Sequence, residues 1–308
     1  MQIRQAVLDD TRAISALFRE RISAWQRLLP GGQVEDVDYD SLSVYERWLH
    51  GGAWMTIETG AVFLNHLLLG AGVPMVAEHE GRVFGYAEAY PNSEIEPFGE
   101  HLHVGSVIAP DAATEDALID AFIMTARARK LSKLSASTAL GEEAARALAR
   151  RGGAPLMTLH RYALAARTGQ GFYRAVDLAQ ANREIITGWA MPVGRDTSPR
   201  HAWETLIQPM FDTMPELAGR RVHRLRLAAS GQDVVVYCRQ QMFDTRSADV
   251  AMWSPKGLQP QTVVAVRDWA HREGYRTLWM TAGESDARAL GPDVESDPMT
   301  VTISALAI

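Results

Sequence analysis

The alternation of apolar and polar positions along the chain predicts short strands separated by amphipathic helices. Runs of β-branched and apolar residues bounded by Gly, Pro or Asp predict strands, and apolar residues spaced three to four positions apart predict helices. The predicted strands of the first half are 3–7, 74–78, 83–90, 101–108, 134–137 and 157–165. The predicted helices of this half are one that starts near residue 10, then 55–69, 115–131 and 142–151.

The same order of elements recurs after a small, polar, Gly-rich segment at 168–171. The predicted strands of the second half are 174–176, 225–229, 234–242, 249–253, 277–281 and 300–305, and its predicted helices are 179–188, 199–213, 260–273 and 284–290. We therefore predict an α/β (α+β) protein of two tandem domains, 1–167 and 172–308, each a mixed, mostly antiparallel sheet flanked by helices. One large irregular sheet is the alternative.

Composition narrows the classes of function. The 308 residues are 47% hydrophobic and 22% charged, with a formal net charge of −6, which is typical of a globular protein. No run of five or more basic residues occurs, so the sequence does not indicate nucleic-acid binding. A mild negative field favours a cationic or amine substrate, although solubility alone also explains it.

Cysteine content and hydropathy suggest a location. Cys238 is the only cysteine, so neither an intrachain disulfide nor a Cys metal cluster is possible, as expected in a reducing compartment. The N-terminus has no apolar signal core. The most apolar stretch, 61–70, is shorter than a membrane span. We predict a soluble, cytoplasmic protein without a membrane partner.

The order of elements resembles the GNAT acetyltransferase superfamily, closely over about 1–166 and more loosely over 172–308. Short segments of the first half carry further resemblance to a prokaryotic subgroup: Trp54-Met55, Leu64-Asn65-His66-Leu67-Leu68, Val76-Ala77-Glu78, Gly85-Tyr86-Ala87-Glu88 and Pro97-Phe98-Gly99-Glu100-His101. The resemblance implies that the fourth strand and its neighbour splay apart, so that the fourth strand pairs with the amide arm of coenzyme A. The pyrophosphate then lies on backbone N–H groups at the start of the next helix.

The segments expected to hold the pyrophosphate depart from the family pattern of Arg or Gln, two residues, Gly, one residue, then Gly or Ala. In the first half, Val107 and Ile108 on the fourth strand would contact the arm, but the following segment, 109–117, has three carboxylates and neither glycine nor a basic residue. An ordinary capped helix is the alternative reading. In the second half, the candidates for cofactor contact are Lys256, Gly257, Gln259, Gln261 and Thr262.

Three of these second-half residues have a physical reason for the assignment. Lys256 supplies charge, Gly257 permits close approach of the backbone, and Gln259 matches the Arg-or-Gln position. Thr262 stands where the family has Gly, and a plain surface turn is the alternative.

Candidate catalytic residues follow from what acyl transfer requires, which is a base for the amine and a proton donor for the departing thiolate. Tyr162, in the last strand of the first half, is the candidate thiolate donor. His101 and His103 alternate on one strand and so share a face, and with Glu88 on the neighbouring strand they are a candidate base constellation. Packing roles are the alternative for all four. We predict no metal site, because the two histidines lack an evident third ligand.

The sequence therefore predicts an acyl-CoA-dependent N-acyltransferase that uses acetyl-CoA and acts on a small-molecule or protein amine. The amine would attack the thioester directly, without a covalent enzyme intermediate. A catalytically inactive GNAT-fold binding or scaffold protein is the rival hypothesis, motivated by the two altered pyrophosphate segments. A transferase that uses another acyl carrier is a third.

Overall fold

A computed structural model describes residues 1–29, 32–169, 171–212, 214–217 and 219–308. The strands are β1 (Gln2–Gln5), β2 (Gln26–Leu28), β3 (Val34–Asp36), β4 (Val73–His79), β5 (Arg82–Ser93), β6 (Glu100–Ile108), β7 (Lys133–Ser137), β8 (Ala154–Ala165), β9 (Tyr173–Asp177), β10 (Ala190–Val193), β11 (Val222–Ala229), β12 (Gln232–Gln240), β13 (Ser247–Ser254), β14 (Thr277–Gly283) and β15 (Glu295–Ala307). The α-helices are α1 (Thr11–Arg19), α2 (Val44–Leu49), α3 (Ile57–His66), α4 (Ala112–Ala128), α5 (Glu143–Ala149), α6 (Pro199–Ala202), α7 (Pro260–Arg272) and α8 (Glu284–Leu290).

Thirteen of the described strands form one sheet, in which the two halves of the chain arrange their strands in an equivalent order from the two edges to the centre. Its order is β1-β4-β5-β6-β7-β15-β8-β14-β13-β12-β11-β9, with β10 beside β13. The last strand of each half lies in the sheet of the other half: β15 pairs with β7 and β8 pairs with β14, while β8 and β15 pair with each other at the centre. The tandem repeat and the single large sheet that the sequence left as alternatives are thus combined, because two similar halves exchange their final strands.

The exchange bears on the predicted domain boundary at 168–171. Residue 170 of that segment lies outside the described residues. Because each half completes the sheet of the other, the division into 1–167 and 172–308 remains a prediction about folding units.

Only two neighbouring strand pairs on the main path of the sheet are parallel, and they occupy equivalent places in the two halves. β6 pairs with β7 only as far as Val104 opposite Ala136, although β6 continues to Ile108. β13 pairs with β14 only as far as Asp249 opposite Trp279. Beyond these points the strands diverge. We call the two gaps the first wedge, between β6 and β7, and the second wedge, between β13 and β14.

Helices cover both faces of the sheet. In the first half, α4 and α5 pack on one face through a cluster that includes Leu118, Phe122 and Leu148. The opposite face holds an aromatic cluster with Trp54, Tyr86 and Tyr90, which α1 and α3 cover. The second half repeats this arrangement, with α7 on one face and the perpendicular pair Trp203 and Trp253, 5.6 Å between ring centroids, on the other.

Two predicted elements differ from the structure. In place of the predicted helix 179–188 the structure has only a short 3-10 helix, Arg183–Ile186. The Ala181 carbonyl oxygen instead accepts hydrogen bonds from Gln208 Nε2 (2.8 Å) and Trp203 Nε1 (3.4 Å). The predicted helix 199–213 consists of α6 and a π turn, Trp203–Ile207, and Thr213 lies outside the described residues. Strand β10, between these two segments, was not predicted. Within the described ranges, no helix is long and apolar enough to cross a membrane.

Candidate functional site

The second wedge is filled by the chain itself. β10 runs antiparallel to β13, with Ala190 opposite Ser254 and Val193 opposite Met252. Immediately after β10, the Gly194 N–H donates to the carbonyl oxygen of Thr281 on β14 (2.7 Å). β10 therefore bridges the two diverging strands where the resemblance places a cofactor arm.

The first wedge adjoins a cavity instead. In the described part of the chain, residues 105–108 of β6 pair only with β5. Beside them is a cavity of about 600 Å³, which we call the central cavity. Strand residues Glu88, Ser106 and Ile108 form one wall, and residues 194–206 of the second half form another. The remaining wall is rich in aromatic side chains, namely Phe18, Trp48, Trp54, Phe63 and Phe211.

Glu88 is the buried carboxyl of the central cavity, 4% exposed. Its two oxygens accept hydrogen bonds from Tyr86 Oη (2.6 Å) and Tyr90 Oη (2.9 Å). Burial raises the pKa of Glu88, and the hydrogen bonds from Tyr86, Tyr90 and Trp54 oppose that rise only in part. A carboxyl held in this way is able to accept a proton or to pair with a cation.

The two histidines predicted to act with Glu88 lie on the same face of the sheet but have other partners. His103 Nδ1 lies 2.9 Å from Ser135 Oγ, and burial lowers the pKa of His103 well below its usual value. His101 Nδ1 lies 3.1 Å from the Gly99 carbonyl oxygen, and burial also lowers its pKa. Both imidazoles are neutral at pH 7, and no hydrogen bond joins either one to Glu88 among the described contacts. Their predicted catalytic role remains a prediction.

His201 was missed by the sequence analysis and lies nearer to the cavity. It lines the cavity and stacks on Tyr90, with ring centroids 4.1 Å apart and planes 7° from parallel. Its complete burial lowers its pKa to about 3. Ser198 caps α6 and Pro199 begins it, a start signal that is visible in the sequence. No sequence pattern, however, tells which strand such a short helix packs against.

A buried ion pair fixes the segment that carries His201. Arg195 Nη1 and Nη2 donate to the Glu94 carboxylate at 2.5 and 2.8 Å, and both side chains are at most 5% exposed. The Arg195 guanidinium also lies 3.7 Å from the ring centroid of Phe98, while Ser137 Oγ donates to the Asp196 carbonyl oxygen (2.5 Å). The second half is thereby anchored to the first beside the cavity.

Tyr162, the predicted thiolate donor, lies elsewhere. It is on β8 opposite Met280 of β14 and packs against the apolar core of the second half. It is not among the residues that line the central cavity. Its predicted role remains untested, and the geometry gives it no contact with Glu88.

The N-terminus of α4, which follows the first wedge, is capped by a carboxylate of the chain itself. Asp111 is the N-cap of α4, and its Oδ1 accepts from the Thr114 N–H (2.8 Å). The next two carboxylates are also engaged: Arg146 and Arg150 donate to Glu115 at 2.9 and 2.8 Å, and Arg150 and Arg151 donate to Asp116 at 2.7 and 2.6 Å. An incoming phosphate would meet the Asp111 carboxylate here. Val107 and Ile108 lie at the end of β6 beside the first wedge, and their contact with a cofactor remains a prediction.

The helix start after the second wedge is more open to an anion. Gln259 is the N-cap of α7 without a side-chain cap, and Gln261 and Lys256 are exposed. Gly257 has a φ of +76°, which glycine adopts without strain. Thr262 is buried, and its Oγ1 has no hydrogen-bond partner among the described atoms. Whether these five residues contact a cofactor remains a prediction, since β10 fills the wedge beside them.

No group of three or more His, Cys, Asp or Glu side chains able to hold a metal ion occurs in the described ranges. The central cavity combines the edge of β6, the buried carboxyl of Glu88 and walls of aromatic side chains.

Comparison with known proteins gives the fold. The sequence matches no protein-family model and no curated protein. The structure is similar to a GCN5-related N-acetyltransferase from Anabaena variabilis (TM-score 0.62, 11% identity, 99% of this chain and 72% of that one). It is also similar to a probable N-acyltransferase from Enterococcus faecalis (TM-score 0.57, 11% identity, 99% and 72%) and a putative acetyltransferase from Pyrococcus horikoshii (TM-score 0.52, 12% identity, 100% and 89%). At identities of 11–12% these similarities show the fold alone: the chain has the fold of GNAT acetyltransferases, as predicted from sequence, and the repeated order of its elements gives the tandem form.

Proposed function

We propose that this protein is an N-acyltransferase that transfers an acyl group from a thioester donor in the first wedge to an amine in the central cavity. The observation that carries the proposal is the meeting, in one cavity, of the strand edge at Ser106 and Ile108 with the buried carboxyl of Glu88. The β6 edge offers backbone groups to the amide-bearing arm of a donor such as acetyl-CoA.

The lining of the central cavity supports an amine as the acceptor. Aromatic faces attract ammonium groups through cation–π interaction, and a carboxylate pairs with the same charge. Because burial raises the pKa of Glu88, its carboxylate is a better proton acceptor than an exposed glutamate. In the proposed step the ammonium group loses one proton to Glu88, and the nitrogen of the free amine bonds to the acyl carbon. As the carbon–sulfur bond breaks, the thiolate takes up the second proton from that nitrogen, and Glu88 returns its proton to solvent.

A second candidate function is a catalytically inactive binding protein of the same fold. The specific observation that favours it is the N-cap of Asp111, which places a carboxylate where the donor's diphosphate would bind. In this case the central cavity would bind an amine without transfer. A transferase with a donor that lacks the nucleotide, such as a pantetheine thioester on another carrier, is also compatible with that cap.

The experiment measures binding and transfer separately. Calorimetry with acetyl-CoA and with acetyl-pantetheine, which lacks the nucleotide diphosphate, reports on the donor. Mass spectrometry of a set of primary amines incubated with protein and donor reports on transfer. We expect acylated amine from both donors. Amine binding without any acylated product from either donor would favour the inactive binding protein and contradict the transferase.

A further inference from the structure

A second cavity of about 250 Å³ adjoins the central cavity and belongs to the second half. The two cavities share Gly194, Asp196, Leu206 and Arg239 as lining residues. The smaller one is lined by residues of β8, β13 and β14, among them Arg161, Asp249 and Trp279. A molecule in the central cavity can therefore extend into this smaller space, which we call the arginine cavity.

The two arginines of this cavity have few partners. Arg161 Nη2 and Arg239 Nη2 each lie 3.7 Å from an oxygen of the same carboxylate, Asp249, which is beyond hydrogen-bond length. Arg239 Nε is buried and has no hydrogen-bond partner among the described atoms. Arg195, by contrast, binds Glu94 through two short hydrogen bonds. Since a guanidinium has five N–H donors, Arg161 and Arg239 keep unpaired donors that can bind a ligand.

The arginine cavity is also built to hold these groups in place. The Arg161 guanidinium lies 4.3 Å from the ring centroid of Trp279, which fixes its plane. Asp249 Oδ1 accepts from Gln241 Nε2 (3.0 Å), so part of its charge is already engaged. The second carboxyl of the cavity, Asp196, is exposed and lines both cavities.

The unpaired donors of the two guanidiniums favour an anionic ligand. The same cavity also holds two carboxylates, Asp249 and Asp196, so a monovalent anion meets less repulsion there than a dianionic phosphate. Planar carboxylates also match the fork of a guanidinium.

We propose that Arg161 and Arg239 bind a carboxylate on the acceptor, so that the acceptor is an amino acid or a short peptide. The amine lies in the central cavity towards Glu88, and the carboxylate lies in the arginine cavity. The amine end of this assignment rests on the proposed function, whereas the carboxylate site stands on the two arginines alone.

The test compares matched pairs of small molecules. The probes are 6-aminohexanoate, hexylamine and 6-aminohexylphosphonate, with glycylglycine as a peptide, and binding is measured by calorimetry. We expect 6-aminohexanoate to bind at least about tenfold more tightly than hexylamine, because charge-assisted hydrogen bonds contribute. Equal affinity of the two would overturn the proposal, and tighter binding of the phosphonate would overturn its assignment to a carboxylate.

Variants locate the effect. Arg161→Gln and Arg239→Gln should each remove most of the tenfold preference for 6-aminohexanoate, measured as the ratio of the 6-aminohexanoate and hexylamine affinities of the same variant. Arg288→Gln, a change at an arginine that is 81% exposed, should have no effect. Asp249→Asn removes the competing carboxylate and should strengthen 6-aminohexanoate binding several-fold. Because this last variant gains affinity, a folding defect cannot imitate it, and weaker binding would contradict the proposal.

Transfer is scored separately from binding. If amines are acylated at equal rates with and without a carboxylate, the proposed transferase stands and the carboxylate site fails. If the arginine-dependent binding is found without any transfer, the carboxylate site stands and the transferase fails.

Discussion

The first and second wedges occupy equivalent places in the two halves, yet their surroundings are opposite. The first wedge adjoins a cavity with the buried Glu88, but Asp111 caps the helix that follows it. The second wedge is bridged by β10, but the helix that follows it has no side-chain cap and has Lys256 nearby. The strand edge that fits a donor's arm and the helix start that fits its phosphates have thus become separated between the halves. A repeated fold does not guarantee a repeated site.

The largest effect is expected from Glu88→Gln. Glutamine keeps the shape of the side chain but cannot accept a proton, so kcat/KM for acyl transfer should fall about 10²- to 10⁴-fold. Steady-state rates with the best amine of the screen measure this. A rate within threefold of the unmodified protein would remove Glu88 from the mechanism.

The control for this variant is its stability as a function of pH. The pKa of Glu88 is raised in the folded protein, so the folded state holds its proton at pH values where the unfolded state has lost it. Stability therefore falls as pH rises from the unfolded pKa through the folded pKa. Glu88→Gln removes this pH-dependent loss of stability. The free energy of unfolding of the variant, measured with urea, should therefore increase relative to that of the unmodified protein as pH rises. A difference that is constant with pH would contradict the burial argument.

The next largest effect is expected for the buried ion pair of Arg195 and Glu94, which anchors the second half to the first beside the central cavity. Arg195→Met leaves the buried Glu94 carboxylate without its guanidinium, and we expect a loss of about 3–5 kcal/mol in the free energy of unfolding. The double variant with Glu94→Gln should recover part of it. Arg288→Met, in an exposed pair at 4.0 Å, should change stability by less than about 0.5 kcal/mol. Urea denaturation of all three variants checks this, and a double variant no more stable than Arg195→Met would refute the pairing.

A third prediction tests the strand that fills the second wedge. A Cβ at Gly194 would lie 2.6 Å from Ala251 Cα and from the Val250 carbonyl oxygen, and Gly194 has a φ of +73°. Gly194→Ala should therefore cost about 2–4 kcal/mol and speed hydrogen exchange in β10. Gly231 is a matched control, because its φ is +74° and no atom lies within 4 Å of a Cβ there, so Gly231→Ala should cost only about 1–2 kcal/mol. Equal costs would show that β10 is not seated tightly.

The order of strands could be predicted from sequence because hydrophobic alternation reports each strand separately. The predicted segment 101–108 and the observed β6 (Glu100–Ile108) differ by a single residue. The exchange of β8 and β15 could not be predicted, because alternation reports which face of a strand is buried and not which strand lies beside it. β10 (Ala190–Val193) was missed because it contains Pro192 and its residues do not alternate between apolar and polar.

The candidate site was predictable in part. Glu88 stands out as a carboxylate inside an apolar strand, and its burial between two tyrosines two positions away follows from alternation. His201 and Arg161 were not identified, since their contacts with Tyr90 and Trp279 join residues more than 100 positions apart, and Arg239 was missed because its role depends on Arg161 beside it. The open loop at Lys256 looked like the better cofactor segment because sequence shows the loop but not the strand that fills the wedge beside it.

The smallest predicted effect decides which wedge receives the donor. Asp111→Ser keeps a good N-cap and removes one negative charge beside the first wedge, so acetyl-CoA should bind about two- to fivefold more tightly. Lys256→Gln, beside the second wedge, should leave the affinity unchanged. Calorimetry on the two variants measures both. The opposite pattern, with Lys256→Gln weakening binding and Asp111→Ser without effect, would place the donor's phosphates at α7, and the arm would then have to displace β10. A general response to charge would strengthen binding in Asp111→Ser and weaken it in Lys256→Gln, so a change in only one of the two variants reports the location of the donor.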